Sequence, residues 1–256
     1  METVLVSGVT YNKDEAKISV MRVPDKPGIA AKLFSPLSES NISVDMIIQN
    51  VSHEGFTDLT FTVPRADFKK ALKIVEEAAV VIGAGGVGLN AIQGARIAGA
   101  RRIVAVDINE AKLADAAGFG ATDGILATGE APWRALVDKI GRKADAVFVT
   151  VGAIPAYDTA PRYLAPGGKV VMVGMPASGA LSSYQPDIFA SLSQGMVGSK
   201  MGNVVLSRDI PWLVDLYQQG RLQLDELISK RWPLDEVNEA IADTKGGAAR
   251  RNVIVF

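Results

Sequence analysis

Residues 78–107 read AAVVIGAGGVGLNAIQGARIAGARRIVAVD, and this stretch predicts the fold of most of the chain. An apolar run ends at Ile82, glycines fill the turn, a helical pattern follows, and a second apolar run ends at Asp107. The same alternation of strand and helix continues to the C-terminus and is typical of a parallel, doubly wound α/β sheet. The strand candidates are Val80–Ile82, Ile103–Val106, Gly124–Ala127, Ala146–Thr150, Val170–Val173, Met196–Ser199 and Val253–Phe256.

Residues 1–77 follow a different pattern and predict a smaller module. From Glu15 to Glu77 the periodicity indicates strand, helix, strand, strand and helix, which is most of a βαββαβ (α+β) module. The pattern is carried by Ile18 and Val20, by Ile29, Leu33 and Leu37, by Ile42, Val44, Met46 and Ile48, by Leu59, Phe61 and Val63, and by Phe68, Leu72 and Val75. Either Val4–Val9 or a neighbouring subunit could supply the missing fourth strand. We therefore expect two domains, residues 1–77 and 78–256, and a homodimer that covers the unpaired sheet edge.

The segment Gly83-Ala84-Gly85-Gly86-Val87-Gly88 has the spacing of a dinucleotide-binding turn. Its first glycine suits a tight turn, its second lets the backbone approach a pyrophosphate, and its third lets the helix pack closely. The helix that begins near Val87 offers free N–H groups to phosphates. Asp107 lies 19 residues after Gly88, where a carboxylate can accept from ribose hydroxyls, and Ile108 and Asn109 bring no positive charge. The pattern favours NAD(H) over NADP(H), and a purely structural turn is the alternative.

The composition excludes several classes of function. The 27 Lys+Arg and 28 Asp+Glu residues give a net charge of -1, which argues against nucleic acid as a partner. Without cysteine and with His53 as the single histidine, one chain cannot build a Cys- or His-based zinc site or a catalytic triad. The N-terminus has no signal-peptide pattern, and Ala78–Ala100 is too rich in glycine and polar residues to span a membrane. Cytoplasmic localisation is expected.

Residues 78–256 resemble the cofactor domain of the medium-chain, zinc-type alcohol dehydrogenase family. The resemblance rests on VVIGAGGVGLNAIQGARIAGARRIVAVDINEAKL, VFVTVG, GGKVVMVGMP, GSKMGN, DIPWLVDLYQQGRLQLDELI and RNVIVF. It implies NAD as the cofactor. It also implies contacts with NAD outside the glycine turn: Lys112 near the adenosine ribose, with Val151 and Gly152 beside that ribose. Val173 and Val197 would lie near the nicotinamide carboxamide, and Arg251 near the pyrophosphate. Core packing is the alternative for the valines, and a solvated surface charge is the alternative for the two cations.

Residues 6–77 resemble the first ACT domain in the regulatory portion of aspartokinases, most specifically in DKPGIAAKLF and VDMIIQNVS. In that family a pair of ACT domains binds an end-product amino acid, lysine or threonine. The resemblance implies that such an effector meets the start of the first helix and a strand of the sheet, through Asp25, Gly28, Ile29, Ala30 and Gln49. A good turn followed by a helix cap is the alternative.

Both families are represented only in part. The ACT-like module stands where a zinc-type dehydrogenase has its catalytic domain with Cys and His ligands, and no kinase motif is present. The remaining candidates for proton transfer have no spacing that pairs a base with an activator, and surface positions are expected for Tyr157, Asp158, Tyr163 and Lys200. We therefore expect an NAD(H)-binding domain fused to a regulatory module, without a complete catalytic or metal site. The alternatives are an amino-acid-sensing subunit of aspartokinase type and an engineered or artefactual chimera.

Overall fold

A computed structural model describes residues 14–24, 27–51, 56–68, 70–71, 77–247 and 249–256. The chain divides into two compact units, Met1–Glu76 and Glu77–Phe256. The first unit contains a small antiparallel sheet, and the second contains a parallel sheet of six strands with helices between them. The expected fold class is confirmed: a Rossmann-like sheet is preceded by a small ACT-like α+β module.

The sheet of the first unit buries one face under a helix. Its elements are β1 (Glu15–Pro24), α1 (Ile29–Glu39), β2 (Ile47–Val51) and β3 (Phe56–Pro64), and its strand order is β1-β3-β2. Ile18 lies opposite Phe61 on the buried face, because residues paired across antiparallel strands point to the same side. Helix α1 packs Leu37 and Phe34 on this face, and the Phe34 ring meets Phe61 edge-on at 5.2 Å. Alternating apolar residues thus place the core as the sequence indicates.

Two expectations for the first unit have different outcomes. The strand expected from Ile42 is shorter, since β2 begins only at Ile47, although the Asp45 N–H still donates to the Thr62 carbonyl oxygen at 3.1 Å. Helix α1 also contains Pro36, which removes one backbone donor from its last turns. The expected strand at Val4–Val9 lies outside the described residues.

The second unit alternates strands and helices along its length. Its strands are β4 (Ala78–Ile82), β5 (Arg102–Asp107), β6 (Asp123–Leu126), β7 (Ala144–Val149), β8 (Leu164–Met172), β9 (Gly195–Gly198), β10 (Ile228–Pro233) and β11 (Arg251–Val255). Its helices are α2 (Gly86–Ile97), α3 (Glu110–Gly118), α4 (Arg134–Ile140), α5 (Ile154–Thr159), α6 (Pro186–Ser191), α7 (Leu206–Gln218) and α8 (Val237–Gly246). The six strand candidates from Val80–Ile82 to Met196–Ser199 therefore all overlap strands, although β8 begins at Leu164, well before the predicted start at Val170.

The parallel sheet has the order β6-β5-β4-β7-β8-β9, so the chain reverses its direction of winding between β4 and β7. All five residues of β4 are buried, since one apolar cluster covers each face of the sheet. A strand buried on both faces reads as a continuous apolar run, which is the pattern of AAVVI. The reversal of winding leaves a crevice at the carboxyl ends of β4 and β7.

The C-terminal strand departs from the expectation. Strand β11 does not join the six-stranded sheet and pairs instead, in parallel, with β10, which the sequence analysis did not predict. Local periodicity predicts that this segment is a strand but not which strand it pairs with. The prediction of the strand itself is therefore correct, and its assignment to the large parallel sheet is wrong. Among the described residues, no helix is long and apolar enough to cross a membrane.

Candidate functional site

The candidate site lies at the carboxyl edge of the parallel sheet, beside the point where the winding reverses. Gly83 follows β4, Asp107 ends β5, Thr150 follows β7, and Val173 follows β8. The Gly83 N–H donates to the carbonyl oxygen of Val106 at 2.7 Å, which ties the start of the glycine turn to the next strand. Parallel strands bring their carboxyl ends to one edge, so residues far apart in sequence meet there.

Each glycine of the turn lies in a distinct environment. Gly83 has a φ of 97°, in the region that favours glycine, and a β-carbon there would overlap the Val151 side chain. A β-carbon on Gly88 would overlap the Gly83 carbonyl oxygen, and one on Gly86 would overlap the Arg250 carbonyl oxygen. At Gly85 nothing lies within 4 Å of the β-carbon position. Neighbouring atoms therefore enclose the turn at Gly83, Gly86 and Gly88 and leave it open at Gly85, which immediately precedes helix α2.

Asp107 holds the turn from the end of β5. The residue is only 9 % exposed, and its carboxylate accepts hydrogen bonds from the Ala84 N–H at 2.7 Å and the Asn109 N–H at 2.9 Å. Asn109 in turn caps α3 by accepting from the Ala111 N–H at 2.9 Å. Ile108 is 73 % exposed beside it, and Lys112 is half-buried in the first turn of α3. The carboxylate is thus fixed in direction before any ligand arrives.

The loops that follow β7 and β8 lie at the same carboxyl edge of the parallel sheet. The hydroxyl of Thr150, which the sequence analysis did not single out, donates to the carbonyl oxygens of Ile82 and Gly83 at 3.0 and 2.8 Å. A β-carbon on Gly152 would overlap the Met175 carbonyl oxygen, so the two exit loops touch through their backbones. A threonine at the end of a central strand is the sequence signal that could have indicated this bridge.

The remaining dinucleotide candidates lie farther along the same unit. Val173 is half-buried just after β8, and its N–H donates to the Val149 carbonyl oxygen at 2.9 Å. Val197 is 48 % exposed on β9 and pairs with Val171 in β8. Arg251 is exposed at the start of β11, next to Arg250, whose carbonyl oxygen lies against Gly86. The structure therefore brings the C-terminal segment to the glycine turn.

The effector candidates of the first unit lie around the start of α1 and on β2. Gly28 is the N-cap of α1 with a φ of 87°, and Ile29 and Ala30 form its first turn. Gln49 is exposed and pairs with Leu59 of β3, which pairs on its other side with β1. Asp25 lies outside the described residues. The end of β1 that leads to α1 and the end of β2 after Gln49 lie at the same end of the strands, on either side of the start of β3.

The expected surface positions of the proton-transfer candidates are partly wrong. Tyr163 is buried under the parallel sheet, where burial raises the pKa of its hydroxyl far above the usual value. Tyr157 is half-buried and donates to the Gly174 carbonyl oxygen, and burial raises the pKa of its hydroxyl too. Lys200 is exposed. The packing of α5 and the residues after it on the sheet buries these rings, which isolated spacing does not reveal.

Comparison with known proteins bears directly on this edge of the sheet. Residues 86–219 match the sequence model of a family described as zinc-binding dehydrogenase, and this match spans α2 to just beyond α7. The chain belongs to the zinc-binding dehydrogenase family. Within it, the NDMA-dependent alcohol dehydrogenase of Amycolatopsis methanolica is 36% identical over 179 residues, which are 69% of this chain and 48% of that protein.

Solved structures agree with this membership. The benzyl alcohol dehydrogenase of Acinetobacter calcoaceticus is 30% identical, with a TM-score of 0.67 over 70% of this chain and 49% of that chain. A protein from Burkholderia ambifaria described as an alcohol dehydrogenase zinc-binding domain protein is 31% identical, also with a TM-score of 0.67. This zinc-binding dehydrogenase chain thus spans about half the length of the dehydrogenases it matches.

The N-terminal part of this zinc-binding dehydrogenase chain has a different relationship. Residues 18–80 match the ACT domain family. The aspartokinase of Pseudomonas aeruginosa is 50% identical over 84 residues, which are 33% of this chain and 20% of that protein. An ACT domain of aspartokinase type is therefore joined to a dehydrogenase domain, as the two resemblances predict.

The family name implies zinc, but the residues of this chain do not fit a zinc site. The sequence has no cysteine, and its single histidine, His53, lies outside the described residues. In the part of the chain that the structure describes, no group of three or more His, Cys, Asp or Glu side chains could hold a metal ion. Zinc chemistry is therefore not assigned to these residues.

Proposed function

We propose that residues 78–256 bind NAD(H) at the carboxyl edge of the parallel sheet and that residues 1–77 form an amino-acid-binding regulatory module. The main observation behind the dinucleotide proposal is that three features occur together at the glycine turn. The turn is packed on three glycines, open at Gly85, and tied to a buried carboxylate, Asp107. A β-carbon at Gly85 would fill the open side, so glycine there suits the close approach of a pyrophosphate.

Several residues of the chain are suited to hold this cofactor. The free N–H groups of the first turn of α2, at Gly86 and Val87, suit the pyrophosphate, and Arg251 supplies positive charge. Asp107 suits the adenosine ribose, with Ile108 and Lys112 on either side of α3's cap. We assign Val151 and Gly152 to the adenosine side, and Val173 and Val197 to the nicotinamide side. NAD(H), when bound, supplies a hydride acceptor or donor.

Asp107 should select NAD(H) over NADP(H). A carboxylate that accepts from a ribose 2′-hydroxyl repels a 2′-phosphate, and the neighbouring Ile108 offers that phosphate no positive charge. Titration calorimetry with NADH and NADPH measures this preference directly. We expect NADH to bind more tightly and Asp107→Ala to weaken its binding, while Asp123→Ala, at the amino end of β6, leaves it unchanged. Equal affinity for the two cofactors, or an unaffected Asp107→Ala variant, would refute the assignment.

We further propose that these residues bind NAD(H) without catalysing zinc-dependent alcohol oxidation. Removal of a hydroxyl proton needs a Lewis acid or a positioned base, and the sequence offers no cysteine and a single histidine to hold a catalytic zinc. Tyr157 is engaged with a backbone carbonyl, and Asp158 accepts from Ser182 and Ser183. NADH formation from simple alcohols, stimulated by zinc in a preparation free of host dehydrogenases, would contradict this.

A second proposal concerns the first unit, which we expect to mediate a homodimer and to bind lysine or threonine. Among the described residues β2 pairs only with β3, and three consecutive apolar residues at its start, Met46 just before the strand and Ile47 and Ile48 within it, are 56, 52 and 46 % exposed. An apolar sheet edge of this kind favours pairing with a second copy. The end of β1 that precedes α1 and the end of β2 after Gln49 lie at one end of the same sheet, where a small effector could meet both.

Light scattering and thermal shift test this second proposal. We expect a dimer at micromolar concentration, a monomer for Ile47→Lys, and a dimer for the control Ile241→Lys on α8, which is similarly exposed. Lysine or threonine should raise the unfolding temperature of the native chain and do so less for Gln49→Ala. A monomeric native chain would refute the dimer, and the absence of any shift with either amino acid would refute effector binding.

A further inference from the structure

Arg250 contacts three elements of the second unit: β10, α3 and the start of α2. Its backbone N–H donates to the Ser229 hydroxyl oxygen on β10 at 2.7 Å. Its guanidinium lies 3.0 Å from a carboxylate oxygen of Asp115, near the middle of α3. Its carbonyl oxygen lies against Gly86, the first residue of α2, at the place that a β-carbon would occupy. One residue of the C-terminal segment is thus held through its amide and its side chain, and its carbonyl group contacts the first residue of α2.

The ion pair forms one wall of a cleft between α3 and the C-terminal segment. The cleft has a volume of about 430 Å³ and is lined by Ala114, Asp115, Gly118, Phe119, Gln223, Glu226, Ile228 and Arg250. The two charged side chains are 31 and 41 % exposed, and the Nε atom of Arg250 is buried. Because both side chains are partly buried, the pair is screened less than a fully exposed pair.

We infer that Asp115 and Arg250 are positioning residues of the dinucleotide site. Asp115 holds the Arg250 guanidinium, and Arg250 holds its own carbonyl against Gly86 and presents Arg251 at the start of β11. This inference rests on the proposed NAD(H) site, because it concerns the affinity of that site. Neither residue needs to touch the cofactor, because each acts through the backbone at Gly86, which would contact the pyrophosphate.

The physical reason lies in the first turn of α2. The N–H groups of this turn have no partner within the helix and bind a phosphate well only when their directions are already set. The Arg250 carbonyl closes the side of Gly86 that faces the C-terminal segment. Loss of the Asp115 carboxylate frees the guanidinium and lets this carbonyl shift, so part of the binding energy is spent on ordering the turn.

The experiment compares Asp115→Asn with Asp115→Glu and with the control Asp123→Asn. Asp123 also pairs with an arginine in the same unit, since its carboxylate lies 3.6 Å from Arg102, but the pair lies at the amino ends of β5 and β6. Affinities for NADH and for ADP-ribose are measured by calorimetry. We expect Asp115→Asn to weaken both by about fivefold, the upper range of a partly exposed ion pair. Asp115→Glu should restore most of the affinity, and Asp123→Asn should leave it unchanged.

A second readout uses the protein without cofactor. The amide resonance of Gly86 should move in Asp115→Asn and in Arg250→Met, and stay in place in Asp123→Asn. An unmoved Gly86 resonance, or Asp115→Asn binding NADH as the native chain does, would overturn the inference. If the native chain binds no NADH, the proposed function fails, while the Gly86 resonance still decides whether the Asp115–Arg250 pair sets the turn. Arg250→Met gives the same test if Asp115→Asn does not fold.

Discussion

Two turns of this chain lead from a strand through glycine into a helix, and they are held in different ways. Gly83–Gly88, which leads from β4 into the first residues of α2, is enclosed by residues of three other segments: Thr150 and Val151 after β7, Asp107 at the end of β5, and Arg250 near the C-terminus. Gly28, before α1, has a φ of 87° and nothing within 4 Å of its β-carbon position. In the first turn tertiary packing demands glycine, whereas in the second only the backbone conformation does.

The difference bears on how such turns are interpreted. Both sequences contain the same local signal, a glycine between a strand and a helix, and both suggest a ligand at the helix start. The enclosed turn offers one open position, at Gly85, and a fixed carboxylate beside it. The open turn offers no such framework among the described residues of its own unit, so a ligand there needs a second surface to complete its site.

The largest effect is expected for Gly88→Ala. The new β-carbon would overlap the Gly83 carbonyl oxygen, which belongs to the backbone and cannot rotate away, so the second unit should lose about 3 kcal/mol of stability. Urea unfolding followed by tryptophan fluorescence measures this, because all three tryptophans lie in the second unit.

The matched control for this change is Gly94→Ala in the same helix. Nothing lies within 4 Å of its β-carbon position, so the variant should be more stable by about 0.5–1 kcal/mol through helix propensity. Equal effects at the two positions would show that packing does not distinguish them.

Thr150→Val should have the next largest effect. Valine keeps the shape of threonine but removes the hydroxyl that donates to the Ile82 and Gly83 carbonyl oxygens, which should cost about 1.5 kcal/mol. The same urea experiment applies, and Thr150→Ser, which retains the hydroxyl, serves as the control. If the Thr150→Val variant were as stable as the native chain, the Thr150 hydroxyl would not stabilise the turn.

Gly28→Ala should cost less, about 1 kcal/mol, because alanine is strained at a φ of 87° but meets no neighbouring atom. Amide hydrogen exchange in α1 reports the loss within the first unit. Gly28→Asn should recover part of it, since asparagine tolerates this conformation better. A loss as large as that of Gly88→Ala would mean that the second turn is enclosed as well.

The smallest effect concerns a loop held by a titratable group. The Ser182 hydroxyl and the Ser183 N–H donate to Asp158 at 2.7 and 2.8 Å and lower the pKa of its carboxyl below the usual value. The charged form is favoured in the fold, so this contribution is complete above the unfolded pKa, about 4, and is lost as the pH falls through the folded pKa. An NMR titration of the Ser183 amide should show a midpoint below 4 that rises in Ser182→Ala; an unchanged midpoint would contradict the assigned cause.

Much of the fold could be predicted from the sequence, because its elements have strong local signals. Burial on both faces leaves a continuous apolar run in β4, and alternation in β1 and β3 marks the core of the first unit. The framework around the glycine turn could not be predicted in the same way. Thr150 and Arg250 reach the turn only because parallel strands and the returning C-terminal segment bring them there.

The segment Ala78–Ile82 shows where local sequence stops and tertiary structure decides. The ACT match extends to residue 80, whereas the structure places the whole segment at the centre of the parallel sheet, between β5 and β7. AAVVI by itself determines only an apolar strand, and such a strand can close an antiparallel sheet or lie at the centre of a parallel one. Its five consecutive buried residues need cover on both faces, and the apolar clusters built by α2 to α5 and the neighbouring strands supply that cover.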